Sequence, residues 1–393
     1  MAKWLEKTLG EVTAFIAKGI PPKYTEEENE NTIRVLNQKC NRNFEISYNE
    51  SRIHDCEKKK VPVDKMLRAG DVLINSTGTG TAGRVAQMVE VTVPTTIDGH
   101  MILIRPSEEL DPIYYGYAVK SLQSQIEGLA EGSTGQTEIN RRRLQDEVII
   151  RYPRDKSVQK NIGSFLANID EKIKTNKEIN KNLLQQLHVL YLKLFCDSAM
   201  DTPLGDVVAT TSGGTPSRKH DEYYSDSSIC WVKSKELLGN YIHETEEHIN
   251  DLAIKKSSAK LLPEHSVLIA MYGATVGAYG VISKPMTCNQ AVCALLCNEN
   301  YPYTYLFQIA YESQQKFINL AVGSAQQNIS QVLIKQLNLH SDLDIIQRFH
   351  DLALPMHQEI EFLQAENIRL SDLRDNLLPK LMSGELDVSD IDL

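Results

Sequence analysis

The chain is one module written twice. Leu9-Gly10-Glu11-Val12 recurs as Leu204-Gly205-Asp206-Val207 at an offset of 195 residues, and Lys18-Gly19-Ile20-Pro21 becomes Gly213-Gly214-Thr215-Pro216 at the same offset. Asp71-Val72-Leu73-Ile74 answers to Ser266-Val267-Leu268-Ile269, again without a gap. Gly132-Ser133-Thr134-Gly135-Gln136 answers to Gly323-Ser324-Ala325-Gln326-Gln327 at an offset of 191. Four matches in one order point to a tandem duplication, so each copy is expected to carry the same supersecondary frame.

Each copy contains short runs rich in Val and Ile, such as Asp146-Glu147-Val148-Ile149-Ile150 and Ser266-Val267-Leu268-Ile269-Ala270, punctuated by Gly, Pro, Asn and Ser. That pattern predicts strands joined by loops. A helix is expected from Pro112 to Glu127, with its counterpart from about Pro302 to Leu320, which makes each copy a mixed α/β unit. The segments after the copies follow another rule. Alternating steps of four and three from Ile162 reach Leu166, Ile169, Ile173, Asn176, Asn180, Leu183, Leu187, Leu190 and Leu194. The same steps 187 residues on give Phe349, Ala353, Met356, Ile360, Leu363, Asn367, Leu370, Arg374, Leu377 and Leu381. These are coiled-coil seams. Both carry Asn at the equivalent position, Asn180 and Asn367, and an asparagine in a seam fixes register at a cost in stability. Mutual packing of the two helices is expected, through Asn180, Leu183 and Leu187 on one and Asn367, Leu370 and Leu377 on the other. The simpler alternative is that each helix packs only on its own domain. Pro355 is expected to kink or restart the second helix.

The resulting fold class is α+β: two tandem mixed α/β domains separated by two long helices that pair as an antiparallel coiled coil with pseudo-two-fold symmetry. The expected boundaries are 1–153 for the first domain, 154–197 for the central helix and 198–341 for the second domain. The C-terminal helix follows at 342–383, then an acidic tail at 384–393. Forty residues of helix span about 60 Å, so such a pair is a ruler between two globular units.

No segment of the 393 residues approaches the apolar run that crosses a bilayer. The first residues, Met1-Ala2-Lys3-Trp4-Leu5-Glu6-Lys7, are charged where a signal peptide is apolar, so a cytoplasmic protein without membrane contact is expected. The seven cysteines form no CxxC pair. Val292-Cys293-Ala294-Leu295-Leu296-Cys297 reads as a buried strand with Cys293 and Cys297 on one face, hence as reduced core thiols; no metal site is expected. The net charge of -10 argues against a free-standing DNA-binding protein, but not against a subunit whose partners supply positive charge. Lys58-Lys59-Lys60, Arg141-Arg142-Arg143 and Lys255-Lys256 concentrate what positive charge there is.

Motifs for chemistry fail in context. Gly78-Thr79-Gly80-Thr81-Ala82-Gly83 matches GxGxxG, but the following Arg84-Val85-Ala86-Gln87-Met88 reads as a strand where a dinucleotide site needs a helix. The second copy keeps glycines, in Gly273-Ala274-Thr275-Val276-Gly277, without the pattern. The common feature is a glycine-rich hairpin. Gly83 is not followed by the Lys and Ser or Thr of a Walker loop. Ile20-Pro21-Pro22-Lys23-Tyr24 has the wrong neighbours for an adenine methylase motif, and Asp170-Glu171-Lys172 lies on the coiled-coil helix as a solvated face. Nucleophile elbows and HExxH are absent, so a non-catalytic chain is expected. The loops suit binding better. Gly213-Gly214-Thr215-Pro216-Ser217-Arg218-Lys219-His220 with Tyr223-Tyr224, and Gly19-Ile20-Pro21-Pro22-Lys23-Tyr24 in the first copy, combine small residues, cations, hydroxyls and aromatics. Small residues let backbone amides approach phosphates, while Arg, Lys and Thr reach base edges. Each loop alone is equally well a plain surface turn; their recurrence at matched places favours binding.

The sequence resembles, over essentially its full length, the specificity subunits of type I restriction–modification systems. The resemblance is carried by Leu204-Gly205-Asp206-Val207 leading to Gly213-Gly214-Thr215-Pro216, then Tyr223-Tyr224 and Ile229-Cys230-Trp231-Val232. It continues through Cys288-Asn289-Gln290-Ala291 and Gly323-Ser324-Ala325-Gln326-Gln327-Asn328-Ile329-Ser330. Ala167-Asn168-Ile169-Asp170-Glu171-Lys172-Ile173 on the first helix matches too. The most specific stretch is Leu373-Arg374-Asp375-Asn376-Leu377-Leu378-Pro379-Lys380-Leu381-Met382-Ser383-Gly384-Glu385-Leu386. The first copy departs more, with Thr95-Thr96-Ile97-Asp98-Gly99-His100 where the second has Cys288-Asn289-Gln290. The resemblance implies two target-recognition domains that each read half of a split site in double-stranded DNA, with the helices setting the gap. It implies two modification (methyltransferase) subunits docked on the helices, which bring S-adenosylmethionine, and restriction subunits that bring the ATP-driven, Mg-dependent motor and nuclease; this chain itself carries no cofactor. For DNA contact it points to Thr77, Thr79, Thr81 and Arg84, with Lys23 and Tyr24, in the first copy. In the second it points to Ser217, Arg218, Lys219, Tyr223, Tyr272 and Thr275. Arg would meet bases or phosphates; Thr and Tyr would supply hydroxyls and apolar contacts. The rival readings are a coiled-coil scaffold that reads no DNA, and a fragment of a fused restriction–modification enzyme.

Overall fold

A computed structural model describes residues 3–132, 137–321 and 328–386. Most of the fourth repeat match and the acidic tail from 387 on lie outside the described residues. The chain divides into two compact units, Met1–Lys172 with Leu370–Leu393, and Ile173–Arg369.

In the first unit the central strand is Val72–Asn75, buried at every position. It pairs antiparallel with Met101–Pro106 on one side and Val85–Gln87 on the other, and Thr13–Lys18 pairs beyond Met101–Pro106. Side chains alternate across a sheet. Val72, Ile74, Ile102 and Ile104 therefore enter one core, while Leu73, Met101 and Leu103 enter another. This is why the strand sequence is a continuous apolar run. A second sheet closes the Leu73 side. There Thr95–Ile97 runs parallel to Thr32–Leu36, which pairs antiparallel with Arg52–Asp55, and Tyr24–Thr25 joins the edge. Helices Pro112–Ser121 and Gln123–Gly128 cover the other side, the expected single helix being broken at Leu122. Asp111 starts the first by accepting the Ile113 and Tyr114 amides at 3.0 Å each, with Pro112 in the first turn. Trp4–Thr8 pairs with Ile149–Pro153; Asp146 and Glu147, expected in that strand, instead finish a short helix, Arg141–Glu147.

The second unit repeats the plan. Its sheet runs Ala209–Ser212, Val292–Leu296, Val267–Ala270, Tyr279–Ile282, with an added parallel edge strand, Asn240–Ile242. Thr287–Cys288 runs parallel to Ile229–Val232, which pairs antiparallel with His248–Ile249. Met200–Pro203 pairs with Asn338–His340, and the helix is Tyr303–Leu320. Val267, Ile269, Cys293 and Leu295 face one core; Leu268, Ala270, Val292 and Ala294 face the other. Cys293 is fully buried, and Cys297 packs against the same core.

The long helices span Lys156–Phe195 and Leu343–Ser383. No helix among the described residues is long and apolar enough to cross a membrane. In the first unit Ile162, Leu166, Leu378, Leu381 and Met382 join the first copy's core. There the Arg374 guanidinium donates to Asp170 Oδ1, whose Oδ2 accepts the Tyr117 hydroxyl at 2.5 Å. In the second unit Leu187, Tyr191, Phe195, Ile346, Phe349, Ala353 and Ile360 join the second copy's core. The two helical segments of this unit are antiparallel: Asn176 meets Asn367, and the Phe195 ring lies 5.8 Å from that of Phe349. The buried stripe follows the expected seam to Leu187, with Leu183 half-buried, and then steps by four to Tyr191 and Phe195, leaving Leu190 and Leu194 half-buried. Likewise His357 is buried where Met356 was expected, and Leu378 more deeply than Leu377. Packing on a globular domain follows the 3.6-residue helical period rather than the 3.5 of a strict supercoil. The second helix runs through Pro355 without restarting. Pro355 is exposed, as is Asp351, the residue whose carbonyl loses its N–H partner, so water can replace that bond.

Asn176 Nδ2 donates to Asn367 Oδ1 at 2.9 Å and to Glu366 Oε2 at 2.6 Å. The partner of Asn367 is thus Asn176, and Asn180 is buried close by with an Oδ1 that accepts no hydrogen bond. His357, fully buried, sits 2.7 Å from the Tyr241 hydroxyl, and burial pushes its pKa down to about 3, so it is neutral at pH 7. Asn176→Leu removes the donor facing Asn367 and should cost about 1–3 kcal/mol in urea unfolding. The double variant Asn176→Leu/Asn367→Leu should recover most of that loss.

Candidate nucleic-acid interface

The two glycine loops are built with the same bonds. Gly19 N donates to Met101 O at 3.1 Å and Ile20 N to Ile97 O at 2.9 Å; Gly213 N donates to Val292 O at 3.2 Å and Gly214 N to Cys288 O at 2.9 Å. A Cβ on Gly19 would stand 2.1 Å from Asp98 O, and one on Gly213 2.1 Å from Cys288 O. Glycine is required here by the close approach of two sheets. The amides are occupied by the fold, so these glycines do not offer the phosphate-facing amides that the sequence suggested.

The second glycine feature also recurs. Gly83 N donates to Asn75 O at 2.8 Å and Asn75 N to Arg84 O at 3.0 Å; Gly277 N donates to Ala270 O and Ala270 N to Ala278 O, at 3.0 and 2.7 Å. Both glycines have positive φ, +91° and +80°, which side chains rarely tolerate. Strand Val85–Gln87 follows directly, so the run is a hairpin against the sheet and not the strand-to-helix turn of a dinucleotide site. Thr77 forms an isolated bridge with Glu138, and Tyr272 forms its counterpart with Asn328.

The side chains at these tips differ between copies. In the first, Lys23 is exposed and its amide donates to His54 Nδ1 at 2.8 Å; the Arg52 guanidinium stacks 3.5 Å over the Tyr24 ring. Thr77 Oγ1 lies 2.8 Å from His100 Nδ1, whose backbone amide donates to Asp98 Oδ1 at 2.9 Å. Burial pushes the Asp98 carboxyl up. Thr79 is exposed, Thr81 half-buried, and Arg84 donates to Gly80 O at 3.1 Å. In the second copy Ser217 and Lys219 are exposed. Arg218 lies 4.3 Å over Tyr224 and 5.4 Å from Trp231, and pairs with Glu247, which Lys233 also contacts. The hydrogen bond from Lys233, ahead of that from Arg218, holds the Glu247 carboxyl below its usual range. Tyr223 is packed in a small core with Trp231, Ile249, Ala253 and Ala259, stacked 4.9 Å from His220. It therefore braces the loop. Tyr272 is exposed, and Thr275 Oγ1 donates to its carbonyl at 3.1 Å. Trp231 Nε1 donates to Gly214 O at 3.0 Å, which ties the loop to the sheet beneath.

Sequence reasoning passed over Arg52 and His100, which fold against nominated residues, and Lys59, whose Nζ donates to Pro21 O at 3.4 Å. Only the strand pairing brings them there. It also passed over a Cys230, Glu244 and His248 cluster, made because Cys230 and His248 are cross-strand partners. Glu244 Oε1 accepts from Cys230 Sγ at 2.9 Å and lies 2.5 Å from His248 Nε2, while Lys284 holds Oε2 at 3.1 Å. Desolvation opposes ionisation of Glu244, but the hydrogen bonds from Cys230, His248 and Lys284 outweigh it and hold the carboxyl down to about 2. The donor types could ligate a metal, yet at these spacings they already satisfy one another. In the first copy the matching cross-strand pair is Arg34 and Ile53.

Comparison with known proteins gives a consistent picture. The family model for the type I restriction modification DNA specificity domain matches residues 1–185 and 199–340. The MjaIX specificity subunit of Methanocaldococcus jannaschii is 25% identical over 311 residues, 71% of this chain and 69% of that protein. The HindI specificity subunit of Haemophilus influenzae is 24% identical over 188 residues, 47% of this chain and 40% of the relative. In fold, the chain is similar to a crystallised type I restriction–modification S subunit from M. genitalium, with a TM-score of 0.61 and 16% identity over 97% of this chain and 96% of that one.

Gly19→Ala and Gly213→Ala each force a methyl group into a carbonyl and should destabilise the chain by about 1–3 kcal/mol. Gly128→Ala meets nothing within 4 Å and should leave the urea midpoint unchanged or slightly raised.

Proposed function

The chain belongs to the type I restriction–modification DNA specificity family, and on that premise we propose that it reads a two-part, gapped DNA site with one copy on each half. The observation that carries this reading is a shared frame with divergent tips. The hydrogen bonds around Gly19 and Gly213 match one for one, while just beyond them Lys23 and Tyr24 stand in one copy and Ser217, Arg218 and Lys219 in the other, and Thr77 is replaced by Tyr272. Two readers of different half-sites require the same backbone placement and different side chains. Lys23, Tyr24, Thr79, Thr81 and Arg84 face one half-site and Ser217, Arg218, Lys219, Tyr272 and Thr275 the other, with Thr77 and Tyr223 setting the loops behind them.

The chain acts without catalysing a reaction. Two modification subunits dock on the long helices and bring S-adenosylmethionine and methyl transfer; restriction subunits bring ATP, Mg and cleavage. Support for docking comes from the outward helix faces, where Val189, Leu192, Leu352 and Phe362 are exposed and a partner could cover them. A net charge of -10 also fits a reader whose partners contribute much of the attraction for phosphate.

Methylome sequencing of cells with and without the chain tests the reading. Loss of one gapped adenine-methylation motif is expected on deletion, and an unchanged methylome in an active system would overturn it in favour of a scaffold that reads no DNA. Replacing residues 198–341 by those of another family member should change one half of the motif and leave the other. Lengthening the helix by a few residues around Asn176–Asn180 should change the gap alone.

A further inference from the structure

We propose that Lys65 and Lys260 are a matched pair of DNA-backbone contacts, one per copy, that hold each half-site at its glycine loop without reading bases. This rests on the reading of the copies as two DNA readers. The two lysines stand at the same 195-residue offset as the flanking matches, and each precedes its central strand by the same distance, before Asp71-Val72-Leu73-Ile74 and Ser266-Val267-Leu268-Ile269. Lys65 reaches back to the glycine loop and Lys260 to the strand that leads into it. Lys65 Nζ donates to Gly19 O at 3.2 Å, and Lys260 Nζ donates to Thr211 Oγ1 at 2.8 Å. Two copies with divergent loop tips thus each place an ammonium where the edge strand runs into the glycine loop, at Gly19 in one and two residues before Gly213 in the other.

The acceptors are a carbonyl and a hydroxyl, not carboxylates. Several neighbouring cations are neutralised within the fold: Lys18 pairs with Glu138, Arg218 and Lys233 with Glu247, and Lys235 with Glu246. Neither Lys65 nor Lys260 takes part in an ion pair among the described residues. Each ammonium carries three donors and spends one on the loop, which leaves charge and donors for phosphate oxygens. The lysine roots are also fixed. Thr96 Oγ1 donates to Lys65 O at 2.8 Å, and Arg105, itself paired with Asp71, donates to the carbonyls of Asp64 and Met66 on either side. In the second copy the chain just before Lys260 packs on Gly214, where a Cβ would stand 2.3 Å from Ala259 N, and Leu262 N donates to Met286 O at 2.8 Å. A compact, strongly hydrated ammonium on a fixed root suits phosphate, and it lacks the planar fork by which Arg distinguishes guanine.

The test uses the full chain assembled with its modification subunits and a labelled duplex carrying the methylated motif of the wild-type system. Binding is measured from low to moderate salt. Lys65→Gln and Lys260→Gln should each make the slope of log Kobs against log salt shallower by about 1, and the double variant by about 2. Lys65→Arg and Lys260→Arg should restore the slope, and the methylome motif should be unchanged in every variant. Unchanged slopes in the Gln variants, or a base change in the motif, would overturn the proposal. A Gln variant whose loss is not rescued by Arg would also overturn it, by assigning the lysine to folding. Failure of the DNA-reading model itself is seen separately, as a wild-type complex that does not prefer its motif over a scrambled duplex.

Discussion

The two central strands, Val72–Asn75 and Val267–Ala270, are buried on both faces, and a sheet with two apolar faces must be covered twice. One face is closed by the small parallel–antiparallel sheet, through Leu36 and Ile97 in the first copy and Val232 and Cys288 in the second. The other face is closed by helices, and the long helices join that layer. A copy stripped of its helical segments would expose that layer, so the helices are part of each domain's core as well as connectors. This is why one compact unit takes in both ends of the chain.

Covering the sheet also places the loops. Where the edge strand of the large sheet crosses the end of the parallel strand in the small one, two backbones approach so closely that only glycine fits. Gly19 and Gly213 are consequences of sheet packing, and the residues just beyond them are released from it. Lys23 and Arg218, both exposed, lie just beyond those glycines with different surroundings, the second stacked on two aromatic rings and paired with Glu247. Substitution there changes what the loop presents without changing where it stands.

The duplication, the mixed α/β copies and both long helices were legible in the sequence, because a repeat and a periodic apolar stripe are one-dimensional signals. What was not legible depends on tertiary neighbours. The tyrosine at 223 looks like a contact residue in sequence and is a brace in space, because Ile249 and Ala253 reach it from another strand and helix. The glycine amides looked available and are spent on strands some eighty residues away in the chain. The late seam was misplaced by one residue, at Tyr191, Phe195 and His357, because those turns pack on a domain and not only on a partner helix. Lys65 and Lys260, by contrast, could have been found from the repeat offset alone.

The asparagines show where the duplication stops being symmetric. At the 187-residue offset between seams, Asn367 corresponds to Asn180, and Asn176 corresponds to Leu363. The observed amide pair is Asn176 with Asn367, so its repeat-related counterpart would bring Asn180 against Leu363. A hydrogen-bonded pair thus exists on one side of the relation and not on the other, while the Oδ1 atoms of both Asn176 and Asn180 accept no hydrogen bond. An all-leucine seam would leave the helices free to slide by a heptad at little cost. Here a one-heptad slip sets Asn367 against Leu183 or Ile169, which leaves its amide without a partner at about 1–3 kcal/mol. The asymmetric pair therefore fixes one register, and a fixed register is what a gap of constant length requires.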